Sequence, residues 1–212
     1  MIPETYTSAA APASASSSSP GYDASTFTVD HIAFKDECTS IFVRNVLDFC
    51  DPRCNVAYLD DFDGTEAKEL RTTKALLAAG VDPSRLYMAN PDGAVCRKLK
   101  KYGADTHEAR CTFVAALGGK WRGVRFGAVY LDLCTGSSEE ILDNLGAALP
   151  MLEWRCAVGF TFTRRDGNGE TALERQHKID GFLREHGFER SSHDGLRVFR
   201  PSGVYTQFYS RS

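Results

Sequence analysis

Tyr130-Leu131-Asp132-Leu133-Cys134-Thr135-Gly136 decides how this chain of 212 residues is read. It closes an apolar run from Phe126 to Leu131 and opens onto Ser137, Ser138, Glu139 and Glu140. A small polar residue followed by acids marks a helix start. Side-chain oxygens there accept the free N–H groups of the first turn, and carboxylates favour its positive dipole end. The stretch predicts a buried strand with a carboxylate, Asp132, at its carboxyl end, then a small polar turn and a helix. In open α/β sheets that edge is where ligands bind.

The segments on either side carry the same alternation. Before the strand, Cys38–Cys50 has Ile41, Phe42, Val46, Leu47 and Phe49 at helical spacing, stopped by Asp51-Pro52. Asn55–Leu59 reads as a strand, Glu66–Ala79 as a helix with Gly80 as its C-cap, and Arg85–Ala89 as a strand. Gly93–Tyr102 reads as a helix, Ala104–His107 as a weak strand and Glu108–Leu117 as a helix. After the central strand, Val124–Leu131, come a helix at Glu139–Leu149, a strand at Trp154–Thr163 and a long helix at Thr171–His186. Two strand-like runs, Leu196–Arg200 and Val204–Tyr209, surround Pro201-Ser202-Gly203 as a hairpin. Strands alternating with helices predict βαβ units and a mostly parallel sheet, with the hairpin adding an antiparallel strand at the edge.

Composition narrows the function classes. Met1–Thr26 is dominated by Ala, Ser and Pro. Such a stretch buries too little apolar surface to offset its ordering entropy, so it is expected to be a disordered tail before one domain at 27–212. It has no Lys or Arg and no apolar core, unlike a transit or secretory peptide. That points to a cytoplasmic or nuclear protein with no membrane partner. Seven scattered cysteines suit thiols in a reducing compartment, and Cys50 and Cys54 find no second cluster to complete a zinc site. The five histidines show no metal spacing. A net charge of -3 argues against a strongly basic nucleic-acid binder but allows a local basic rim.

This order resembles the class I S-adenosylmethionine-dependent methyltransferase fold, a Rossmann-like sheet of seven strands ending in an antiparallel hairpin, over about Val56 to Arg211. The family's first motif, an acid followed by alternating glycines, falls on Asp60-Asp61-Phe62-Asp63-Gly64-Thr65-Glu66, where Asp60 and Gly64 match and Phe62 and Glu66 replace glycines. The resemblance implies S-adenosylmethionine as cofactor, held by Asp60, Asp61, Phe62 and Gly64. Asn90 and Asp92 after strand two would hold the ribose, and Thr106 and His107 after strand three would flank the adenine. The segment Asp132–Gly136, with Thr161-Phe162-Thr163-Arg164, looks like methyltransferase-like proteins of large viruses and microbial eukaryotes.

Methyl transfer from a sulfonium needs mainly positioning and, for some acceptors, removal of a proton. Asp132 is the candidate for that proton or for a hydrogen bond to the acceptor. Cys134 reads as a pocket-lining residue rather than a nucleophile, Thr135 as a helix cap or acceptor contact, and Arg164 as a contact for an anionic substrate group. The acceptor is open, with nucleic acid as one candidate, although Leu133 and Cys134 stand where amino-methylating nucleic-acid enzymes carry prolines. A catalytically silent binding or scaffold domain is the alternative. A NAD-dependent oxidoreductase is weakened because Gly64 stands alone where a G-x-G-x-x-G turn should be.

Overall fold

The computed structural model describes residues 29–61, 70–103, 105–135, 137–163, 170–191, 196–199 and 203–212. Met1–Thr26 therefore lies outside the described residues. Helix α1 spans Val29–Phe49, nine residues further toward the amino terminus than the apolar spacing predicts. The reason is visible along its buried stripe. His31, Phe34, Lys35, Cys38, Thr39, Phe42, Asn45 and Val46 are all buried, at helical spacing, but half of these positions are polar. A stripe of that kind is invisible to a hydrophobicity reading.

After α1 the chain alternates. Strand β1 is Val56–Leu59, α2 Arg71–Ala78, β2 Leu86–Ala89, α3 Gly93–Tyr102, β3 His107–Ala109 and α4 Phe113–Gly118. Then come β4 (Phe126–Thr135), α5 (Ser138–Ala148), β5 (Leu152–Thr163) and α6 (Ala172–Glu185). The chain closes with β6 (Glu189–Arg190), β7 (Leu196–Phe199) and β8 (Val204–Arg211). The sheet order is β3-β2-β1-β4-β5-β8-β6, with β7 also paired to β8. The first five strands are parallel to one another, and β8 runs antiparallel to β5, β6 and β7. The Rossmann-like sheet with its antiparallel hairpin is present. One detail is corrected: β8 is not at the edge but lies between β5 on one side and β6 and β7 on the other.

Strand alternation splits the core in two. On one face Val56, Tyr58, Leu86, Met88, Ala128, Tyr130 and Phe208 pack against α1, α2 and α3. On the other Ala57, Val129, Leu131, Val158, Phe160 and Phe162 meet α4, α5 and α6. The first face is tight at its centre. Tyr130 stacks on Phe42 at 4.8 Å and on Phe208 at 6.1 Å, directly over Gly159.

Three boundaries differ from the sequence reading, each for a local reason. Strand β3 occupies His107–Ala109, so α4 starts only at Phe113, where Thr112 caps it by accepting the Ala115 N–H. Strand β4 does not end at Leu131 but continues to Thr135. Its register slips between Asp132, opposite Thr161, and Thr135, opposite Phe162. Asp132 is thus the last regularly paired residue before a bulge, a device that re-aims side chains at strand ends. The cap of α5 is Ser137, whose hydroxyl accepts the Glu140 N–H, rather than Thr135.

Candidate functional site

The sheet reverses its winding between β1 and β4, whose neighbours β2 and β5 lie on opposite sides. Register places three polar side chains level at this switch point. Val56 is level with Leu86 and with Ala128, and Tyr58 with Met88 and with Tyr130. Two residues further on, Asn90, Asp60 and Asp132 fall in one row at the carboxyl edge, all on the α1 face. The row continues through Thr161 and Thr206, whose hydroxyls are 3.1 Å apart, to Arg197 on β7.

Each member has a defined partner. The Oδ2 atom of Asp60 accepts the backbone N–H and the hydroxyl of Thr73, both at 2.8 Å. Thr73 lies in the first turn of α2, whose N-cap, Leu70, sits in the left-handed region and offers no side-chain acceptor. Asp60 thus caps α2 from the adjacent strand end. Burial raises its pKa to about 6, against the pull of hydrogen bonds from Thr73, Thr72 and Asp61. Asn90 donates from Nδ2 to the Asp60 carbonyl at 2.8 Å and accepts the Asp92 N–H at 2.7 Å, so it ties β1 to β2. Asp92 caps α3 by accepting the Ala94 N–H at 2.6 Å. Asp61 is exposed, and its carbonyl accepts the Leu70 N–H.

Asp132 is engaged by α1. Both of its carboxylate oxygens pair with the ammonium of Lys35, whose side chain is only 8% exposed against 26% for Asp132. The flanking residues of α1 fan out from the same turn. Asp36 pairs with Arg71 of α2, and Glu37 with Arg197 of β7 at 2.7 Å. Three consecutive residues of α1 therefore fasten β4, α2 and β7 beside one edge. Beneath them burial pushes the Cys38 thiol up to about 12 and the Tyr130 phenol above its ordinary range, so neither ionises near neutrality.

On the β5 side a second anchor lies under the edge. Arg175 of α6 is fully buried and donates to the Thr163 carbonyl at 2.6 Å and the Glu170 carbonyl at 3.2 Å. It joins the two ends of the segment that holds Arg164.

The placement of Thr106 and His107 is corrected. They stand at the start of β3, not after it, and so at the opposite edge from Asp60 and Asp132. There the Thr106 hydroxyl donates to the Gly103 carbonyl, and the His107 ring stacks on Tyr87 at 4.3 Å with Nε2 near the Ser84 carbonyl. Arg110 and Cys111 follow β3 on the carboxyl side instead. Cys134 and Thr135 belong to β4, and their side chains lie outside the described residues, as do Phe62, Gly64 and Arg164. Lys35 and Arg175 had no signal in the sequence, since each acts through a distant partner.

The raised pKa of Asp60 makes a stability prediction. A carboxyl group raised from the usual 3.8 contributes stability fully present below about pH 4 and lost as pH rises through about 6. The stability of the natural protein minus that of Asp60→Asn is therefore expected to fall between pH 4 and 7, by up to roughly 3 kcal/mol. Thermal melts of both across that range check it. A flat difference would contradict the burial of this charge.

No family model matches this sequence, and no curated protein matches it. Solved structures do. A ribosomal protein L11 methylase from Lactobacillus delbrueckii subsp. bulgaricus superposes with a TM-score of 0.56 at 13% identity, covering 83% of this chain and 77% of that one. The plantazolicin methyltransferase BpumL in complex with SAH gives 0.59 at 8%, over 85% of each chain. The CcbJ methyltransferase from Streptomyces caelestis gives 0.55 at 13%, over 82% and 89%. The chain has the class I S-adenosylmethionine-dependent methyltransferase fold. Among the described residues, no helix is long and apolar enough to cross a membrane.

Proposed function

We propose that this protein is an S-adenosylmethionine-dependent methyltransferase whose reaction takes place at the carboxyl edge of β1, β2 and β4. The observation that carries this reading is the level row Asn90, Asp60 and Asp132 at the switch point of the sheet. It is supported by the shared fold and by the SAH bound in one similar structure. S-adenosylmethionine supplies an activated methyl group on a sulfonium. Asp60 and Asp61 offer negative charge to its cationic amino-acid end, and Asn90 offers an amide able to donate and accept at the ribose hydroxyls. Asp132 orients the acceptor and accepts its proton, and its ion pair with Lys35 holds the carboxylate in place at the strand end. Cys134, Thr135 and Arg164 are assigned to the acceptor only as sequence neighbours of Asp132 and Thr163.

A second reading has its own observation. Asp132 is already paired with Lys35, and the Asp60 carboxylate is turned toward Thr73, as expected for a domain that keeps the fold without the chemistry. Calorimetric titration with S-adenosylhomocysteine, S-adenosylmethionine and NAD separates the readings. Micromolar binding of either adenosyl ligand, with none for NAD, is the expected result. Absence of heat and of a thermal shift with both adenosyl ligands would sink the enzyme reading for this chain.

A further inference from the structure

The charge of this chain is not spread evenly. Between Val81 and Arg125 nine Lys and Arg residues stand against four Asp and Glu, a balance of +5, which leaves -8 for the rest of a chain whose net charge is -3. This segment is one continuous region of the fold. It builds the outer strands β2 and β3, with α3 on one face and α4 on the other.

Part of the charge is used locally. Lys100 and Lys120 bracket Glu108 at 3.1 and 3.9 Å, and Arg125 donates to the Pro150 and Leu152 carbonyls. Arg97, Lys101, Arg110 and Arg122 are exposed and make no ion pair among the described residues. Arg97 and Arg110 converge. Arg97 Nη1 lies 3.4 Å and Arg110 Cδ 3.8 Å from where a Cβ on Gly93 would stand. That point is three residues beyond Asn90, at the carboxyl edge, while Lys101 lies at the far end of α3. A helix of ten residues is about 15 Å long, enough to run beside several phosphates.

We propose that this positive margin of the sheet binds the phosphate backbone of a single-stranded nucleic acid and leads it to the carboxyl edge, where it supplies the methyl acceptor. The acceptor role rests on the function proposed above. Guanidinium pairs suit phosphates because their planar donors match the oxygens. A single strand is the fitting form, since a nucleotide must leave its stack to enter a crevice. A lipid surface fits poorly. Of the exposed large apolar residues only Val114 lies in this segment, and surface-seated proteins insert several such side chains.

The test is fluorescence anisotropy of a labelled 20-nucleotide single-stranded RNA between 50 and 200 mM salt. With about four phosphates neutralised, affinity is expected to fall about 50-fold over that range. Arg97→Glu/Arg110→Glu should weaken binding at least tenfold at 50 mM salt and flatten the salt slope. Arg155→Glu/Arg184→Glu, on exposed cations elsewhere, should stay within twofold, with melting curves confirming that both variants fold. No binding at 50 mM salt, equal losses in the two variants, or binding to phosphatidylserine vesicles but not RNA would overturn the inference. S-adenosylhomocysteine titration in parallel keeps the two claims apart. Cofactor binding without RNA binding removes this inference alone, whereas RNA binding without cofactor binding removes the methyl-transfer reading.

Discussion

Asp132→Ala is expected to destabilise the protein as well as to stop methyl transfer. The substitution removes the carboxylate that faces the Lys35 ammonium, on a lysine side chain 8% exposed. Breaking a buried ion pair from one side costs about 3–5 kcal/mol, because the remaining charge loses its compensation. Asp132 retains 26% exposure, so water recovers part of the loss and roughly 2–3 kcal/mol is expected. For a chain of this length that is a drop of roughly 5–10 °C in melting temperature. Lys35→Met should do similar harm. The double variant Lys35→Met/Asp132→Leu should lose less than the sum of the single changes, by roughly 2 kcal/mol, because it leaves neither charge behind. Additive losses would show that the pair does not hold α1 to β4. In functional terms, Asp132→Ala should keep S-adenosylhomocysteine affinity within about tenfold, ~1.4 kcal/mol. A larger loss would move Asp132 from the acceptor side to the cofactor side.

The second large effect is expected at Gly159, where packing rather than charge decides. A Cβ there would stand 2.9 Å from the rings of both Phe208 and Tyr130. Neither ring has room to retreat. Tyr130 is stacked on Phe42, both it and Phe208 are only 1% exposed, and strands β4 and β8 are hydrogen-bonded to β5 on either side of the glycine. Overpacking of this kind costs about 1–3 kcal/mol, and with two rings obstructed Gly159→Ala is placed near the top of that range. Urea denaturation measures it. Phe208→Leu in the same chain should relieve part of the clash, so that the double variant loses less than the sum of the single changes. A Gly159→Ala protein as stable as the natural one would show that this face is looser than its stacking implies.

How much of this was legible in the sequence depends on the range of the interaction. Near-neighbour physics reads well. The alternation of apolar runs with glycine-closed helices gave the βαβ order, and Asp92 and Asn90 stand where strand two ends. Short elements misled, because three residues carry little periodicity: β3 fell three positions later than read, which sent Thr106 and His107 to the wrong edge. A polar buried stripe misled as well. The amino-terminal half of α1 is helical because His31, Lys35 and Thr39 share a buried face with Phe34 and Cys38. Nothing local announces that Lys35 meets a carboxylate 97 residues away. The acidic turn at Asp60 could be read either as a cofactor contact or as a helix cap, and its bond to Thr73 appears only once α2 is docked. The candidate site was thus legible as a set of strand ends and illegible as a network.

Hydrogen exchange at saturating S-adenosylhomocysteine tests the central claim most directly, because ligand contact slows the opening of the segments it touches. The carboxyl edge is predicted to gain protection together, in the peptides carrying Asp60, Asn90 and Asp132, with no change around Thr106 and His107. Protection at the opposite edge, or none anywhere at saturating ligand, would contradict it.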